Sequence, residues 1–279
     1  MRFDPIFENE RIFPMLGKDC LARTRPIFAS RGGSNDLRAL GSCFFLRYLE
    51  RFFLVTAAHV GIEDAELFTR VHGRPGPLAP DKINGTFHFV GRPGEAPGTD
   101  GTDLAFVEMD ASHASLAVGS YFDASCWDEN DQPSPDAVYL ACGWPANLND
   151  PCAIFPEVPQ SQMHVAFFNR SLSMDKYARY KVAPSTHYAI EHDVRQLDQG
   201  GQAVTSPELP GMSGSPLVLV HQYSSQDDLL QVRIPKLVGV VIEHHRQKQD
   251  PFILATRLRI LLAGIRVYLR GGDSAVFLA

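Results

Sequence analysis

Short runs rich in β-branched and aromatic residues recur along this chain and constrain its fold more than any other feature. Clusters of glycine, proline and aspartate, such as HGRPGPLAPDK and GRPGEAPGTDGTD, separate runs that include FFLVTAA, DLAFVEM, VYLACGW, SPLVLV and KLVGVVI. Many short strands divided by such turns favour a β-sandwich or β-barrel over alternating β-α units. The sequence therefore predicts an all-β fold.

Two segments depart from the strand pattern. TRLRILLAGIRVYL (Thr256–Leu269) has apolar residues near helical spacing and is followed by Gly271 and Gly272, so we predict a C-terminal helix there. WDENDQPSPD (Trp127–Asp136) is polar, contains proline and lies near the middle of the chain. We interpret it as a linker between two strand-rich halves.

Composition excludes several classes of function. The chain has 279 residues, of which 44% are hydrophobic, and a formal net charge of -6. A mildly acidic chain has no general attraction to nucleic acid or anionic membranes, so neither is expected as a partner. The five cysteines are scattered without a Cys-x-x-Cys pair, which argues against zinc. Charges interrupt the N-terminal residues and the apolar runs are short, so we expect a cytoplasmic protein with reduced thiols.

Three residues in separate motifs form a candidate catalytic set. Ser213 lies in ELPGMSGSPLVLV, His59 ends FFLVTAAHV, and Asp103 begins DLAFVEM. A serine hydroxyl becomes a nucleophile when a histidine takes its proton and a carboxylate holds that histidine in the right tautomer. Each motif alone has an ordinary structural explanation, as a turn or a strand end. All three, each attached to an apolar strand, favour catalysis.

In chain order, a set of motifs resembles the trypsin/chymotrypsin-like serine peptidase family: GSCFFLRYLERFFLVTAAHV, DLAFVEM, YLACGWP, LPGMSGSPLVLV and KLVGVVIEHH. The resemblance implies two six-stranded antiparallel β-barrels with the active site in the cleft between them. We accordingly expect the following units: an N-terminal segment (1–27), a first barrel (28–126), a linker (127–136), a second barrel (137–255), and a C-terminal helix and tail (256–279).

The same resemblance implies a role for each matching residue. Ser213 matches the nucleophile, His59 the base and Asp103 the acid that orients the base. The backbone N–H groups of Gly211 and Ser213 match the oxyanion hole, which needs two amides aimed at one point. The implied activity is that of a trypsin-like serine endopeptidase, which forms an acyl-enzyme and needs neither cofactor nor metal.

The chain departs from the family pattern at three points. Met212 precedes the nucleophile where many zymogens have an aspartate, and Ile242 stands where members often have a serine bonded to the orienting acid. Asp103 must therefore find that partner elsewhere. Val60 stands where secreted members have a cysteine, so Cys43 cannot form the usual bridge beside the catalytic histidine.

Specificity is harder to derive. Counting back six residues from Ser213, to the position where trypsin-like members have an aspartate, gives Pro207, which carries no charge. Two other acids, Glu208 and Glu243, are candidates for the substrate pocket, together with the adjacent His244. A desolvated carboxylate there would attract a lysine or arginine side chain, so we expect cleavage after a basic residue.

Two alternatives remain open from the sequence. The chain could use a peptidase fold as a non-catalytic binding or scaffold module. It could also be an α/β-hydrolase esterase, because GMSGS is close to the Gly-x-Ser-x-Gly elbow. Against the esterase, Ser215 replaces the final glycine, and Pro216 with LVLV predicts a strand where that fold has a helix. For the peptidase we expect a protein or peptide substrate, and a regulatory protein partner that restrains it.

Overall fold

The computed structural model of the chain describes a defined set of residues, and structural statements below concern these: 12–30, 37–61, 66–69, 81–91, 101–110, 113–114, 120–145, 165–192, 195–197, 203–205, 209–222, 235–245, 251–271 and 275–277. In chain order the elements are α1 (Ile12–Arg23), β1 (Thr24–Ser30), β2 (Leu37–Tyr48), β3 (Arg51–Ala57), α2 (Ala58–Gly61), β4 (Glu66–Thr69), β5 (Asp81–Lys82), β6 (His88–Gly91), β7 (Leu104–Glu108), β8 (Tyr121–Phe122), β9 (Ala137–Gly143), β10 (Val165–Arg170), α3 (Met174–Arg179), β11 (His187–Glu191), β12 (Arg195–Leu197), β13 (Ala203–Thr205), β14 (Pro216–Gln222), β15 (Lys236–His245), β16 (Phe252–Arg257), α4 (Leu258–Leu269) and β17 (Ala275–Phe277).

The first sheet contains nine of the described strands, in the order β17-β6-β7-β3-β2-β1-β4-β5 with β8 beside β2. Strands β1 to β4, β6 and β7 pair antiparallel with one another and are the six that the resemblance implied. Three further short strands are added to these six. The additional strands β5, β8 and β17 have only two or three residues each. β8 pairs in parallel with β2, and β17 pairs in parallel with β6.

The second sheet has the expected six antiparallel strands, in the order β10-β9-β14-β15-β16-β11. Its end strands also meet: Ser171, just after β10, forms a bridge with Ile190 of β11, and the Leu172 N–H donates to the Ala189 carbonyl at 2.8 Å. This contact nearly closes the sheet into a barrel, which protects the edges that an open sheet exposes. The predicted all-β class is confirmed.

Apolar residues from both sheets join in a shared core cluster. Phe44, Phe53 and Phe106 of the first sheet are buried in the same cluster as Leu140 and Leu237 of the second. Burial of each such side chain contributes about 1.5–3 kcal/mol to folding. The core therefore fixes the two sheets against each other and supports the residues at their junction.

The C-terminal helix is confirmed as α4. Its buried residues include Leu258, Leu261, Leu262 and Ile265, a spacing of three and four that places them on one face. The helix begins two residues later than predicted, because Thr256 and Arg257 complete β16 and pair along it with β11 and β15. Beyond α4 the predicted tail contains β17, which pairs with β6 of the first sheet.

The segment predicted as a linker runs between the sheets. The Trp127 ring stacks on Tyr48 of β2 with centroids 5.9 Å apart, and the Asp128 N–H donates to the Leu237 carbonyl of β15 at 2.9 Å. Its segment therefore contacts both halves. The unit boundaries expected from the sequence stay predictions.

The esterase alternative is wrong. An α/β-hydrolase elbow leads from a strand into a helix on a largely parallel sheet. Here the residues after Ser213 form β14 (Pro216–Gln222), whose two neighbours β9 and β15 are both antiparallel to it.

The described cysteines Cys20, Cys43, Cys126 and Cys142 are free thiols. Burial raises the pKa of Cys43 to about 12, so this thiol is protonated at neutral pH and cannot serve as a nucleophile. Among the described helices, none has the length and apolar character needed to cross a bilayer.

Candidate active site

The ends of two neighbouring strands bring His59 and Asp103 together. β3 ends at Ala57 and continues into α2, which carries His59, while Asp103 immediately precedes β7. β3 and β7 pair antiparallel, with Ala57 opposite Leu104. The end of one strand therefore lies beside the start of the other, and the two candidate residues lie at the same edge of the first sheet.

The Asp103 carboxylate contacts His59 at two points, the imidazole ring and the backbone N–H. Its Oδ2 is 2.6 Å from His59 Nδ1, and its Oδ1 accepts the His59 backbone N–H at 2.9 Å. Because a carboxylate can only accept, Nδ1 carries a proton. In the neutral imidazole this leaves an unprotonated Nε2, which is the form that a general base needs.

The environment of His59 favours its protonated form. The hydrogen bond with Asp103 raises the pKa of His59 from its ordinary 6.5, burial opposes this, and the negative charges of Asp103 and Glu243 raise it further. The imidazole side chain is 48% exposed and the Asp103 side chain 11% exposed. The imidazole is therefore reachable from solvent, whereas the Asp103 carboxylate is shielded.

The candidate nucleophile Ser213 lies in a tight turn between two glycines with left-handed backbone. Gly211 has φ 93° and Gly214 has φ 88°, backbone angles that residues other than glycine rarely adopt. A Cβ on Gly214 would lie 1.9 Å from the Ser42 carbonyl oxygen, so there is no room for a side chain. The Gly-x-Ser-Gly pattern thus meets both a conformational and a steric requirement of this turn.

The turn leaves two amides available. No residue that the structure describes accepts a hydrogen bond from the Gly211 or Ser213 N–H, although the carbonyls of both residues are occupied. The Gly211 carbonyl accepts the Ser42 hydroxyl at 2.8 Å, and the Ser213 carbonyl accepts the Ser42 N–H at 2.8 Å. These amides are the pair predicted for an oxyanion hole.

Ser42 is a supporting residue that sequence reasoning missed. Its hydroxyl is buried, donates to the Gly211 carbonyl and accepts the backbone N–H of Trp144 at 2.9 Å. Its own carbonyl accepts the Thr56 hydroxyl at 2.8 Å. One residue of β2 therefore ties the turn that carries Ser213 to the ends of β9 and β3. A serine 169 positions before its partner gives no local signal in the sequence.

The hydroxyl of Ser213 forms no hydrogen bond with His59 in this structure. It donates instead to the backbone carbonyl of Ile242 on β15 at 3.1 Å. The turn nevertheless lies beside the helix that carries His59, because the Cβ position of Gly41 is 2.8 Å from a Val60 methyl group and 3.0 Å from the Ser213 carbonyl oxygen. The structure thus pairs His59 with Asp103 and orients Ser213 towards a different partner.

The predicted substrate-pocket residues divide into described and undescribed ones. Glu208 lies outside the described residues. Glu243 follows Ile242 at a bulge in β15, and its exposed carboxylate is 3.2 Å from His245 Nε2. The His245 ring stacks on the buried Phe252 with centroids 4.5 Å apart. His244 pairs with β16 through the backbone, and its side chain is outside the description.

Ile242 offers no hydroxyl to the orienting acid, as the sequence indicated. It is buried and contributes only its carbonyl to the site. Both side-chain oxygens of Asp103 instead bond to His59. Among the described residues, no group of three or more histidine, cysteine, aspartate or glutamate side chains is placed to hold a metal ion.

Comparison with solved structures reveals the same fold in serine proteases and a protease paralogue. The chain resembles an inactivated protease paralogue of the scabies mite, S-I1, with a TM-score of 0.55 and 14% identity over 91% of this chain and 96% of that one. It resembles the structure of GrC with a TM-score of 0.52 and 11% identity over 89% of this chain and 94% of that one. It also resembles the serine endoprotease of Yersinia pestis, with a TM-score of 0.51 and 14% identity over 91% of this chain and 66% of that one.

At these identities the likeness shows the fold, which is that of trypsin/chymotrypsin-like serine peptidases. No family model matches the chain, and no curated protein matches its sequence.

Proposed function

We propose that the chain is a serine endopeptidase in which Ser213 is the nucleophile, His59 the general base and Asp103 the acid that orients the base. The observation that carries this proposal is the two-point contact of the Asp103 carboxylate with His59, which fixes the Nδ1–H tautomer. The comparisons support the scaffold alone, because a fold can host many functions and the function depends on the site.

The proposed reaction follows from the positions of these groups. His59 Nε2 takes the hydroxyl proton as Ser213 Oγ attacks the peptide carbonyl. The Gly211 and Ser213 amides stabilise the resulting oxyanion. His59 then gives the proton to the leaving amine, which departs as the acyl-enzyme forms. Water, deprotonated by His59, attacks the ester and releases the acid, and the proton returns to Ser213. No cofactor enters any step.

The nucleophile must first leave its resting contact. Ser213 Oγ gives up its hydrogen bond to the Ile242 carbonyl and turns towards the imidazole. A hydrogen bond of this kind contributes about 0.5–1.5 kcal/mol, which is small against a catalytic barrier. The resting orientation is therefore compatible with turnover once substrate fills the cleft.

We further propose that the substrate carries a lysine or arginine before the cleaved bond. Glu243 is the described acid that supports this, because it is exposed beside the Ile242 carbonyl and its charge reaches His59. Glu208 and His244 remain in the proposed pocket on the sequence argument alone. A restraining protein partner and a cytoplasmic location belong to the same proposal.

A second candidate function is a non-catalytic binding or scaffold module. The specific observation in its favour is the Ser213 hydroxyl, which is bonded to Ile242 and not to His59. One of the similar structures is also an inactivated protease paralogue. Against it, this chain retains His59, Asp103, Gly211 and Ser213 together, and a module that has lost catalysis commonly lacks one of these.

A peptide library tests the proposed function. Purified protein is incubated with peptides varied at the residue before the bond, and products are identified by mass spectrometry. We expect cleavage after lysine and arginine, absent in Ser213→Ala and weakened in Glu243→Gln. Cleavage after alanine, valine and arginine alike, unchanged in Glu243→Gln, refutes the acidic pocket. Equal products from the intact protein and Ser213→Ala refute the serine mechanism.

A further inference from the structure

The segment that leads into Asp103, here named the acid loop (residues 101–103), has an unfavourable backbone conformation. Gly101 has φ 74° and Asp103 has φ 45°. A non-glycine residue in this region costs free energy and persists only where surrounding contacts enforce it. The contacts of the acid loop therefore determine where the Asp103 carboxylate lies.

Contacts from the first sheet fix one side of this loop. The Asp103 carbonyl accepts the Ala58 N–H at 3.0 Å, and its carboxylate accepts the His59 N–H at 2.9 Å. Both donors belong to α2, beside the base itself. These bonds tie Asp103 to α2 but do not involve the carbonyls of Gly101 and Thr102.

The second sheet supplies donors for those carbonyls. The Thr256 hydroxyl donates to the Thr102 carbonyl at 2.6 Å, and His187 Nε2 lies 2.6 Å from the Gly101 carbonyl oxygen. Because a carbonyl only accepts, Nε2 of His187 carries a proton. His187 and Thr256 lie directly opposite each other on β11 and β16. One cross-strand pair therefore reaches two successive carbonyls of the acid loop.

The two donor side chains are held in place in different ways. Thr256 is fully buried, so its short bond has no competition from water. The His187 ring is also bonded through Nδ1 to the Thr186 hydroxyl at 2.8 Å, which fixes its orientation. Both side chains are thus oriented towards the acid loop by the second sheet.

We propose that Thr256 and His187 are positioning residues for Asp103: they make the orientation of the acid, which belongs to the first sheet, depend on the docking of the second. The inference rests on the proposed function for its catalytic consequence. Neither residue touches the reacting atoms. Their effect is transmitted through the acid loop to Asp103 and then to the imidazole of His59.

Paired substitutions separate positioning from general support. Thr256→Val and His187→Leu remove the donors, whereas Thr256→Ser keeps the hydroxyl and His187→Gln places an amide nitrogen near the position of Nε2. Thr69→Val is the matched control, because Thr69 is a buried threonine whose hydroxyl donates to the Pro26 carbonyl at 2.8 Å, within β1 and β4 of the first sheet.

The first measurement is kinetic. A displaced catalytic group can cost up to about 100-fold in rate. We expect Thr256→Val to lower kcat on the order of 10-fold or more with KM unchanged, His187→Leu to act in the same direction, and Thr256→Ser and His187→Gln to restore kcat. Thr69→Val should keep kcat even where it lowers the melting temperature.

The second measurement needs no turnover. The pKa of His59 is followed by NMR in the folded protein, and both donor-removing variants should move it from its raised value towards the ordinary one. If it moves but no variant, nor the parent chain, cleaves peptide, the proposed function fails and the positioning role stands. If kcat and the His59 pKa are unchanged in both variants, the positioning role is refuted. If Thr256→Val fails to fold, the His187→Leu variant, at a partly buried residue, tests the positioning role by the same two measurements.

Discussion

The carboxylate of Asp103 accepts two hydrogen bonds from one residue, His59: the imidazole Nδ1–H to Oδ2 at 2.6 Å and the backbone N–H to Oδ1 at 2.9 Å. The backbone bond fixes the acid relative to the helix that carries the base. The side-chain bond then fixes the ring within that frame. Orientation of the imidazole consequently depends on both oxygens, which makes Asp103 sensitive to a change of even one atom.

Asp103→Asn tests this dependence. An amide replaces one acceptor by a donor, so Nδ1 loses its proton to Nε2 and the base has the wrong tautomer. We expect kcat to fall by about 10⁴, the magnitude that the same aspartate-to-asparagine substitution produces in the Ser-His-Asp triad of the chymotrypsin fold. Asp110→Asn is a control, because Asp110 makes a similar pair with the peripheral His113 at 2.9 Å. Equal activity of Asp103→Asn and the parent protein would contradict the assignment.

The pH dependence of hydrolysis reports the charge of His59. The base acts when neutral, and contacts with Asp103 raise its pKa above the ordinary 6.5. Activity should therefore rise with pH to a half-maximum above that value. The Glu243 charge helps to raise the pKa of His59, so Glu243→Gln should lower that pKa and shift the profile towards lower pH. A profile that is flat from acid pH upward, or one that Glu243→Gln shifts upward, counts against a histidine base in this place.

Ser42→Ala tests the support of the nucleophile turn. The change leaves the buried Gly211 carbonyl and the Trp144 N–H without their shared partner, and each unmet group costs about 1–3 kcal/mol. Chemical denaturation should show a loss of stability of at least about 1–3 kcal/mol, because two groups lose their partner. The rate should fall through kcat, because the oxyanion amides lie in the same turn. Ser125→Ala, at an exposed serine, is the comparison. A similar small effect for both variants would refute the supporting role of Ser42.

Gly214→Ala tests the steric requirement at the nucleophile. The new Cβ would lie 1.9 Å from the Ser42 carbonyl oxygen, in addition to the strain of φ 88°. Gly271→Ala is the matched control, because its φ is 85° and its Cβ position has open space around it. Left-handed strain alone costs about 1–2 kcal/mol. We expect Gly271→Ala to lose about that much stability and Gly214→Ala to lose clearly more, measured by denaturant unfolding.

Local patterns in the sequence were enough to predict the all-β class, strands such as β3, β7, β9, β14 and β15, and the C-terminal helix, but not helix α1 (Ile12–Arg23) or strands such as β1 and β16. The roles of the three candidate residues stay predictions. His59 and Asp103 could be paired in advance because each ends or begins an apolar run that is a strand. The start of the helix was wrong because Thr256 and Arg257 carry no local signal that ends the strand before them. Backbone pairing of Thr256 with β11 and of both residues with β15 assigns them to β16.

The supporting shell could not be predicted in the same way. Ser42, His187 and Thr256 act on partners 86 to 169 positions away, through backbone carbonyls that any residue can provide. Such contacts depend on how the two sheets dock. The orientation of the Ser213 hydroxyl towards Ile242 is likewise a property of the assembled cleft.

Covalent labelling by a fluorophosphonate tests the central claim most directly, because the probe reacts with a serine that a base has activated. The folded protein is treated with the probe, and the modified peptide is located by mass spectrometry after digestion. The account predicts one adduct per chain, on Ser213, lost in Ser213→Ala and strongly slowed in a His59→Ala variant. A chain that stays unlabelled while folded, or an adduct that persists in Ser213→Ala, would contradict it.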